Sequence, residues 1–558
     1  MQVESRSASG RVFRWGPGVI TLVIAAPMFC LPVLALFPTE NIWPHLAATV
    51  LPRYIGNTVA LMAGVGLGCL LLGVATAWLV TMCEFPGRNL FRWALLLPLA
   101  MPAYIVAYVY TDLLEYAGPV QKLLRELTGW TRRDYWFPNV RSMGGAIAML
   151  TLVLYPYVYM LARTAFMQQS VRTFEVARLM GFRPWGTFRR VALPAARPAI
   201  AVGLALALME TLNDFGTVDF FGVQTLSAGV YDVWLNMGNL GGASQIAMVM
   251  LVFVIALITL ERFSRRNQVH YQSRPSQDTL DPYRLSGVMQ AIAVCACSVV
   301  VILGFLVPLG VLLWFAMYHR DARWTPEISE YAINSLTLAL GAGLVTAVLA
   351  MVLGYAARLR PDGPTRALVR IASLGYAIPG AVLAIGILVS FAALDNALDA
   401  VMERWFGIST GLLLSGTGFA VFFAYVVRFL AIPTGGVEVA LGKVTPTMDM
   451  AARSLGQSAL GVFRLVHLPL IWGPAIAAAM IVFVDCMKEL PATLLLRPFN
   501  FDTLATHVYQ FASDELIEAA APGSLIIVVT GLLPVLILNR AMTRALAVRS
   551  PHGADTTG

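Results

Sequence analysis

Apolar residues in this chain come in long unbroken runs rather than in alternation with polar ones. A membrane-crossing helix needs about 20 such residues. The runs predict spans near 18–38, 57–82, 93–115, 143–162, 198–221, 244–261, 286–317, 334–357, 367–392, 411–427, 471–492 and 522–539. The pattern therefore predicts an all-α polytopic membrane protein with about 12 transmembrane helices. Two polar inserts interrupt it: EVARLMGFRPWGTFRRVALP at 175–194, and DMAARSLGQSALGVFRLVHLP at 449–469.

The inserts belong to a larger repetition. Asn57 with Gly64 and Gly66 maps onto Asn334 with Gly341 and Gly343 at an offset of 277. Pro102 and Pro379 keep that offset, while Gly181 and Gly456 stand 275 apart. Thr225 and Tyr231 map onto Thr503 and Tyr509 at 278. Each half holds six predicted spans. An even number gives both halves the same orientation, so the repeat is parallel, with its axis along the membrane normal. The expected organisation is a first six-span module at 1–261, a polar linker at 262–284 and a second module at 285–558.

Composition and charge then narrow the picture. The chain of 558 residues is 58% hydrophobic and only 13% charged, against about 25% charged in soluble domains. Its +8 net charge comes from 39 basic residues, three of them Lys. They gather at the N-terminus (Arg6, Arg11, Arg14), in 163–197, in the linker, in 358–370 and at the C-terminus (Arg540, Arg544, Arg549). By the positive-inside bias these segments are cytoplasmic, with both termini inside. The scatter between spans argues against a nucleic-acid partner; the bilayer is the expected one. The first run is expected to be a retained span. One loop runs against the rule: 116–142 carries Lys122, Arg125, Arg132, Arg133 and Arg141 on the outer side. Its PVQKLLRELTGW reads as an amphipathic helix lying at the interface, with a docking surface for an acidic partner as the alternative. The six Cys fall in or beside apolar runs without a CxxC pair, so they read as small lipid- or core-facing residues rather than disulfides or metal ligands.

Each insert reads as a short helix, a glycine break, a second short helix and a Leu-Pro stop. Gly181 and Gly456 suit a left-handed turn. Pro184 suits the start of a helix, as does Pro446 behind a Thr445 cap. Two matched levers of this kind suit docking on a two-fold partner. Beyond each insert a predicted span carries two acids spaced i, i+4: Glu210 with Asp214, and Asp485 with Glu489. On continuous helices each pair shares a face and lies roughly 18–24 Å from the start of its span. A single carboxylate at a helix centre costs about 2.5–3.5 kcal/mol, so the four are expected to face water, a partner or one another. Oxygen ligands suit a hard cation held transiently. The alternative is structural, with Lys488 neutralising Asp485. Tyr104, Tyr108, Tyr155, Tyr157 and Tyr159 offer phenolate oxygen but read first as packing aromatics. No Lys fits a G-x-x-x-x-G-K-[ST] phosphate loop, so ATP hydrolysis is not expected on this chain.

The E-x-A-x-x-x-G…L-P pattern resembles the coupling loop of binding-protein-dependent ABC importer permeases. Glu175, Ala177 and Gly181 match it in the first copy. Ala451, Ala452 and Gly456 match in the second, where Met450 replaces the glutamate and Asp449 precedes it. METLNDFGTVDFFG (209–222), VDCMKELPATLLLRPFNFDTLATHVY (484–509) and MPAYIVAYVYTDLLEYAGPVQ (101–121) resemble the fused, double-length permeases of ferric-iron importers. Fused thiamine permeases share that architecture. The resemblance implies two copies of an ATP-binding subunit carrying ATP and Mg, and an extracytoplasmic or periplasmic ferric-iron-binding protein. It also implies a bacterial inner-membrane location, no cofactor and no catalytic residue on this chain, and coupling loops near 171–195 and 445–470. An ATP-independent secondary transporter is the alternative of a different class.

Overall fold

The computed structural model describes residues 8–169, 171–265, 282–319, 325–442 and 444–547. Arg266, Arg274, Lys443, Arg549 and most of the expected linker lie outside them. Among the described residues, ten helices are long and apolar enough to cross a membrane. An eleventh place is taken by Arg88–Ala100 and Ala103–Thr128, which pass the same test together but bend by 90° at their break. Pro102 sits in that break, extended at φ −60° and ψ 138°. It forces the residue before it out of the helical region, and the straight span expected at 93–115 becomes an elbow. At the twelfth place the apolar stretch Ile517–Leu532 opens the Ile517–Ala547 helix. The polypeptide is a multi-pass, all-α membrane protein. One strand pairing is described, a two-residue parallel contact of Cys83–Glu84 with Tyr283–Arg284.

The repetition read from the sequence is visible in the packing. A Cβ on Gly64 would meet Ile147, and one on Gly66 would meet Leu204 and Leu208. The counterparts Gly341 and Gly343 face Phe422, and Ala479 with Phe483. All three partner pairs keep the 275 offset. Glycines let helix backbones approach closely where lipid supplies no hydrophobic drive. Hydrogen bonds repeat too. Asn57 Nδ2 donates to the Gln224 carbonyl (2.8 Å) and Asn334 Nδ2 to that of Asp502 (3.1 Å). The amide of Leu226 donates to Thr58 Oγ1 (3.0 Å), and that of Leu504 to Ser335 Oγ (2.8 Å).

The described residues form two compact units that interleave the repeats. One takes 50–228, 252–319 and 508–547; the other takes 8–49, 229–251 and 325–507. In the first, Leu51–Met82 packs on Met143–Gln168 and Leu193–Asn213, while Val307–Tyr318 and Ile517–Ala547 pack beside them. In the second, Pro326–Leu359 packs on Leu468–Met487 and Ala431–Gly442. The N-terminal Ala8–Leu36 lies there against Gly380–Phe406 and Gly363–Ala372. Thr21 donates to the Leu368 carbonyl at 3.1 Å, and Gly386 leaves room for the backbone at Pro27. Each repeat thus contributes its opening helix to the unit built mainly from the other.

Candidate functional site

In the first polar insert, the Val171–Leu179 helix ends on Gly181 at φ +79°. The amides of Gly181 and Phe182 donate back to the carbonyls of Arg178 (2.9 Å) and Ala177 (3.0 Å). In the second, Pro446–Ser454 ends on Gly456 at φ +83°, with Gly456 and Gln457 donating to Arg453 (2.9 Å) and Ala452 (3.2 Å). Both are the same left-handed helix stop, which glycine adopts without a steric penalty. Pro184 and Pro446 open helices as expected. Thr445 occupies the capping position, but its hydroxyl pairs with that of Thr447 (2.8 Å) instead of capping.

The expected Leu-Pro stop is corrected. Pro184–Asn213 and Ala459–Met487 each pass as one span. A widened turn at Phe188–Ala192, and its counterpart Phe463–His467, leads into Leu193–Asn213 and Leu468–Met487. Pro194 and Pro469 lie just beyond the widened turn, where the helix accommodates the missing N–H without ending. Each insert is thus continuous with a membrane helix.

The inserts are anchored differently. Glu175 is exposed and Ala177 buried, while Ala451 is exposed and Ala452 half-buried. Val176, Leu179, Met180 and Trp185 are exposed on the first insert, and Met448, Met450 and Leu455 on the second. Behind the first insert Phe174 is buried, and the ring of Trp78 lies 4.9 Å from that of Phe188 and 5.7 Å from that of Phe166. Behind the second, Asp449 turns inward rather than replacing the exposed glutamate. Its Oδ2 accepts from Arg358 Nε (2.9 Å), and its Oδ1 lies 2.9 Å from Nε2 of the buried His467. Arg358 also donates to the carbonyls of Leu441 (2.7 Å) and Val444 (2.9 Å).

At the far end of each span helix stand the four carboxylates. The expectation of one continuous helix face fails here. Leu193–Asn213 stops before Asp214, and Leu468–Met487 stops before Lys488. Glu210 and Asp485 lie in the last turn, whereas Asp214 and Glu489 sit in the break before the short helices Gly216–Phe220 and Pro491–Leu496. Asp214 accepts from Thr217 Oγ1 (2.9 Å) and the amide of Val218 (3.1 Å). Glu489 accepts from the amide of Ala492 (3.0 Å). Both carboxylates therefore hold the start of the helix that follows, as acids at helix N-termini do.

Charge separates the pairs, which belong to different units. Asp485 is paired with Lys488 Nζ at 2.9 Å. Glu489 Oε2 lies 3.7 Å from Arg428 Nε, both side chains being buried (6% and 4% exposed). Arg428 stands in the apolar stretch FFAYVVRFLA, and a lone charge there is itself a sign of a buried partner. The hydrogen bonds of Asp214 are to the neutral Thr217 and Val218. Tyr509 donates to Asp219 Oδ2 (2.7 Å), and its ring centroid is 5.6 Å from that of Phe215. The rings of Tyr104 and Tyr108 lie 5.8 Å apart. Tyr155 and Tyr159 are packing residues whose hydroxyls donate to the carbonyls of Leu95 (2.6 Å) and Arg92 (2.9 Å). Among the described residues, no three His, Cys, Asp or Glu are placed to hold a metal ion together.

The amphipathic segment also folds as read. Pro119–Thr128 is helical and ends on Gly129 at φ +71°. Arg125 stacks over Tyr116 (4.1 Å), and Leu123, Leu127 and Trp136 are exposed. The amide and hydroxyl of Thr131 donate to Asp134 (2.6 and 2.7 Å) and hold its carboxyl below the usual range.

Comparison with known proteins follows this architecture. Residues 69–268 match the family described as binding-protein-dependent transport system inner membrane component. The chain is 27% identical over 535 residues to the Fe(3+)-transport system permease protein FbpB 2 of Haemophilus influenzae, covering 94% of this chain and 97% of the relative. A putative 2-aminoethylphosphonate permease protein, PhnU of Salmonella choleraesuis, is 29% identical over 218 residues, 38% of this chain and 76% of its own. The molybdenum permease protein ModB of Escherichia coli is 27% identical over 200 residues, 35% of this chain and 84% of its own. With the repeated spans and the matched polar inserts, these similarities join a binding-protein-dependent permease component at residues 69–268 to a likeness with an iron-transport permease along nearly the whole chain.

Proposed function

We propose that the chain is the membrane pathway of a ferric-iron importer. An extracytoplasmic binding protein delivers Fe³⁺, and two copies of an ATP-binding subunit, which hold the ATP and Mg, dock on the two inserts. Glu175, Ala177 and Gly181 form one docking turn, and Ala451, Ala452 and Gly456 form the other. The Arg-rich loops and both termini face the cytoplasm. The observation that carries this reading is the duplicated helix–glycine–helix turn, each copy continuous with a helix that ends at carboxylates. A movement imposed on the insert travels along that rigid helix to the acids. Glu210, Asp214, Asp485 and Glu489 line the translocation path, the first two meeting the cation while Lys488 and Arg428 hold the others.

Iron is favoured over oxyanions by chemistry as well as by similarity. Carboxylate and phenol oxygens suit a hard cation, whereas molybdate or a phosphonate would meet charge of its own sign. The test is uptake of radiolabelled ferric iron, molybdate, 2-aminoethylphosphonate and thiamine by cells lacking the gene. They are complemented with wild type, Asp214→Asn or Glu175→Arg. Wild type should restore iron alone. Asp214→Asn should lose uptake at normal protein level, and Glu175→Arg should lose co-purification of the ATP-binding subunit. Restoration of another solute instead of iron overturns the substrate, and uptake indifferent to the ATP-binding subunit overturns the ABC mechanism.

A further inference from the structure

We propose that Tyr108, Tyr509, Asp214 and Asp219 form a transient all-oxygen site for a trivalent cation, at the end of Leu193–Asn213 remote from the docking turn. The inference rests on the ferric-iron reading and gives it a specific stopping point. Tyr108 carries it. Its side chain is 2% exposed, and its hydroxyl makes no hydrogen bond. A buried hydroxyl left unmatched costs about 1–3 kcal/mol, which a structural role in packing does not explain. The ring of Tyr108 lies 4.6 Å from that of Phe220 and 5.8 Å from that of Tyr104. Phe220 follows Asp219, whose carboxylate accepts from Tyr509, and both stand in the short helix whose start Asp214 holds.

The donor set is suited to the ion. Asp214 spends one acceptor position on each oxygen in holding the short helix, and each carboxylate oxygen has a second. Those bonds fix the carboxylate before any cation arrives. Phenolate and carboxylate are hard donors, which a small trivalent ion prefers to thiolate or thioether. On binding, each phenol that bonds the metal releases its proton to water. A negatively charged ligand set thus forms only when the cation is present.

The second repeat lacks this set. Ala381 and Ile385 stand where Tyr104 and Tyr108 stand, and Leu494 stands where Asp219 stands. Tyr231, the counterpart of Tyr509, donates to the backbone carbonyl of Pro491 instead. The site is built on the first repeat, with Tyr509 of the second joining it within the same compact unit.

The experiment titrates the purified full-length chain in lipid nanodiscs with ferric nitrilotriacetate, reading the visible phenolate-to-iron charge-transfer band and bound iron. Tyr108→Phe, Tyr509→Phe and the control Tyr231→Phe run beside wild type. The expected result is a band in wild type and in Tyr231→Phe, with iron binding at least about tenfold weaker in the other two. No band in wild type, or an equal band in Tyr108→Phe and Tyr509→Phe, overturns the site. Cellular ferric uptake separates the two ideas. Uptake without a band removes the site and leaves the transport reading. A band without uptake removes the transport reading and leaves a metal site.

Discussion

Glu489 has two roles, which the i, i+4 spacing with Asp485 did not announce. It holds the first turn of Pro491–Leu496 and faces Arg428 in a buried ion pair. Gly380 makes that possible, because a Cβ there would come within 2.8 Å of both Arg428 Nη1 and Glu489 Oε1. Removing one member of a buried pair leaves a bare charge and costs about 3–5 kcal/mol, whereas removing both costs far less. Arg428→Met should therefore lower the thermal stability of the detergent-solubilised chain sharply. The Arg428→Met/Glu489→Gln double variant should recover most of the loss. If single and double variants melt together, the pair is not what stabilises this region. The lone Arg in an apolar run was visible in the sequence. Its partner was not, because the two lie on different helices and spacing names no neighbour across space.

The inserts show which elements a sequence declares. Their glycine stops were legible because a left-handed residue and a proline-led restart leave a local mark. The break after Asn213 was not, since FGTVDFFG continues the apolar run and hydropathy does not register where a helix ends. Nor could alignment of the two copies reveal that Asp449 points inward while Phe174 fills the matching place. This difference predicts unequal stiffness. In Asp449→Asn the charge-assisted contacts to Arg358 and His467 are lost, a change of about 1.5–3 kcal/mol for such bonds. Hydrogen exchange along Pro446–Ser454 should then quicken at least about tenfold, with Val171–Leu179 unaffected. Equal protection in wild type and variant would show that the ion contacts do not anchor the second insert.

For the chain as a whole, twelve apolar runs fixed the architecture, and small-residue repeats fixed its duplication. Which helix packs with which was hidden, because apolar periodicity names a buried face and not the surface that buries it. The opening helices change units, so each half of the sequence is missing part of its own packing. Cutting the chain between residues 265 and 282 should give halves that are proteolysed when made singly and co-purify when made together. Stable, monodisperse halves made alone would contradict the interleaved packing. The same exchange sets a schedule for biogenesis. Thr21 bonds to a residue 347 positions later. At 5–20 residues per second, roughly 17–70 s pass before that partner leaves the ribosome. Through that interval the first helix must wait in lipid without its partner, which makes holding nascent helices apart until the second half arrives a requirement for membrane-insertion machinery.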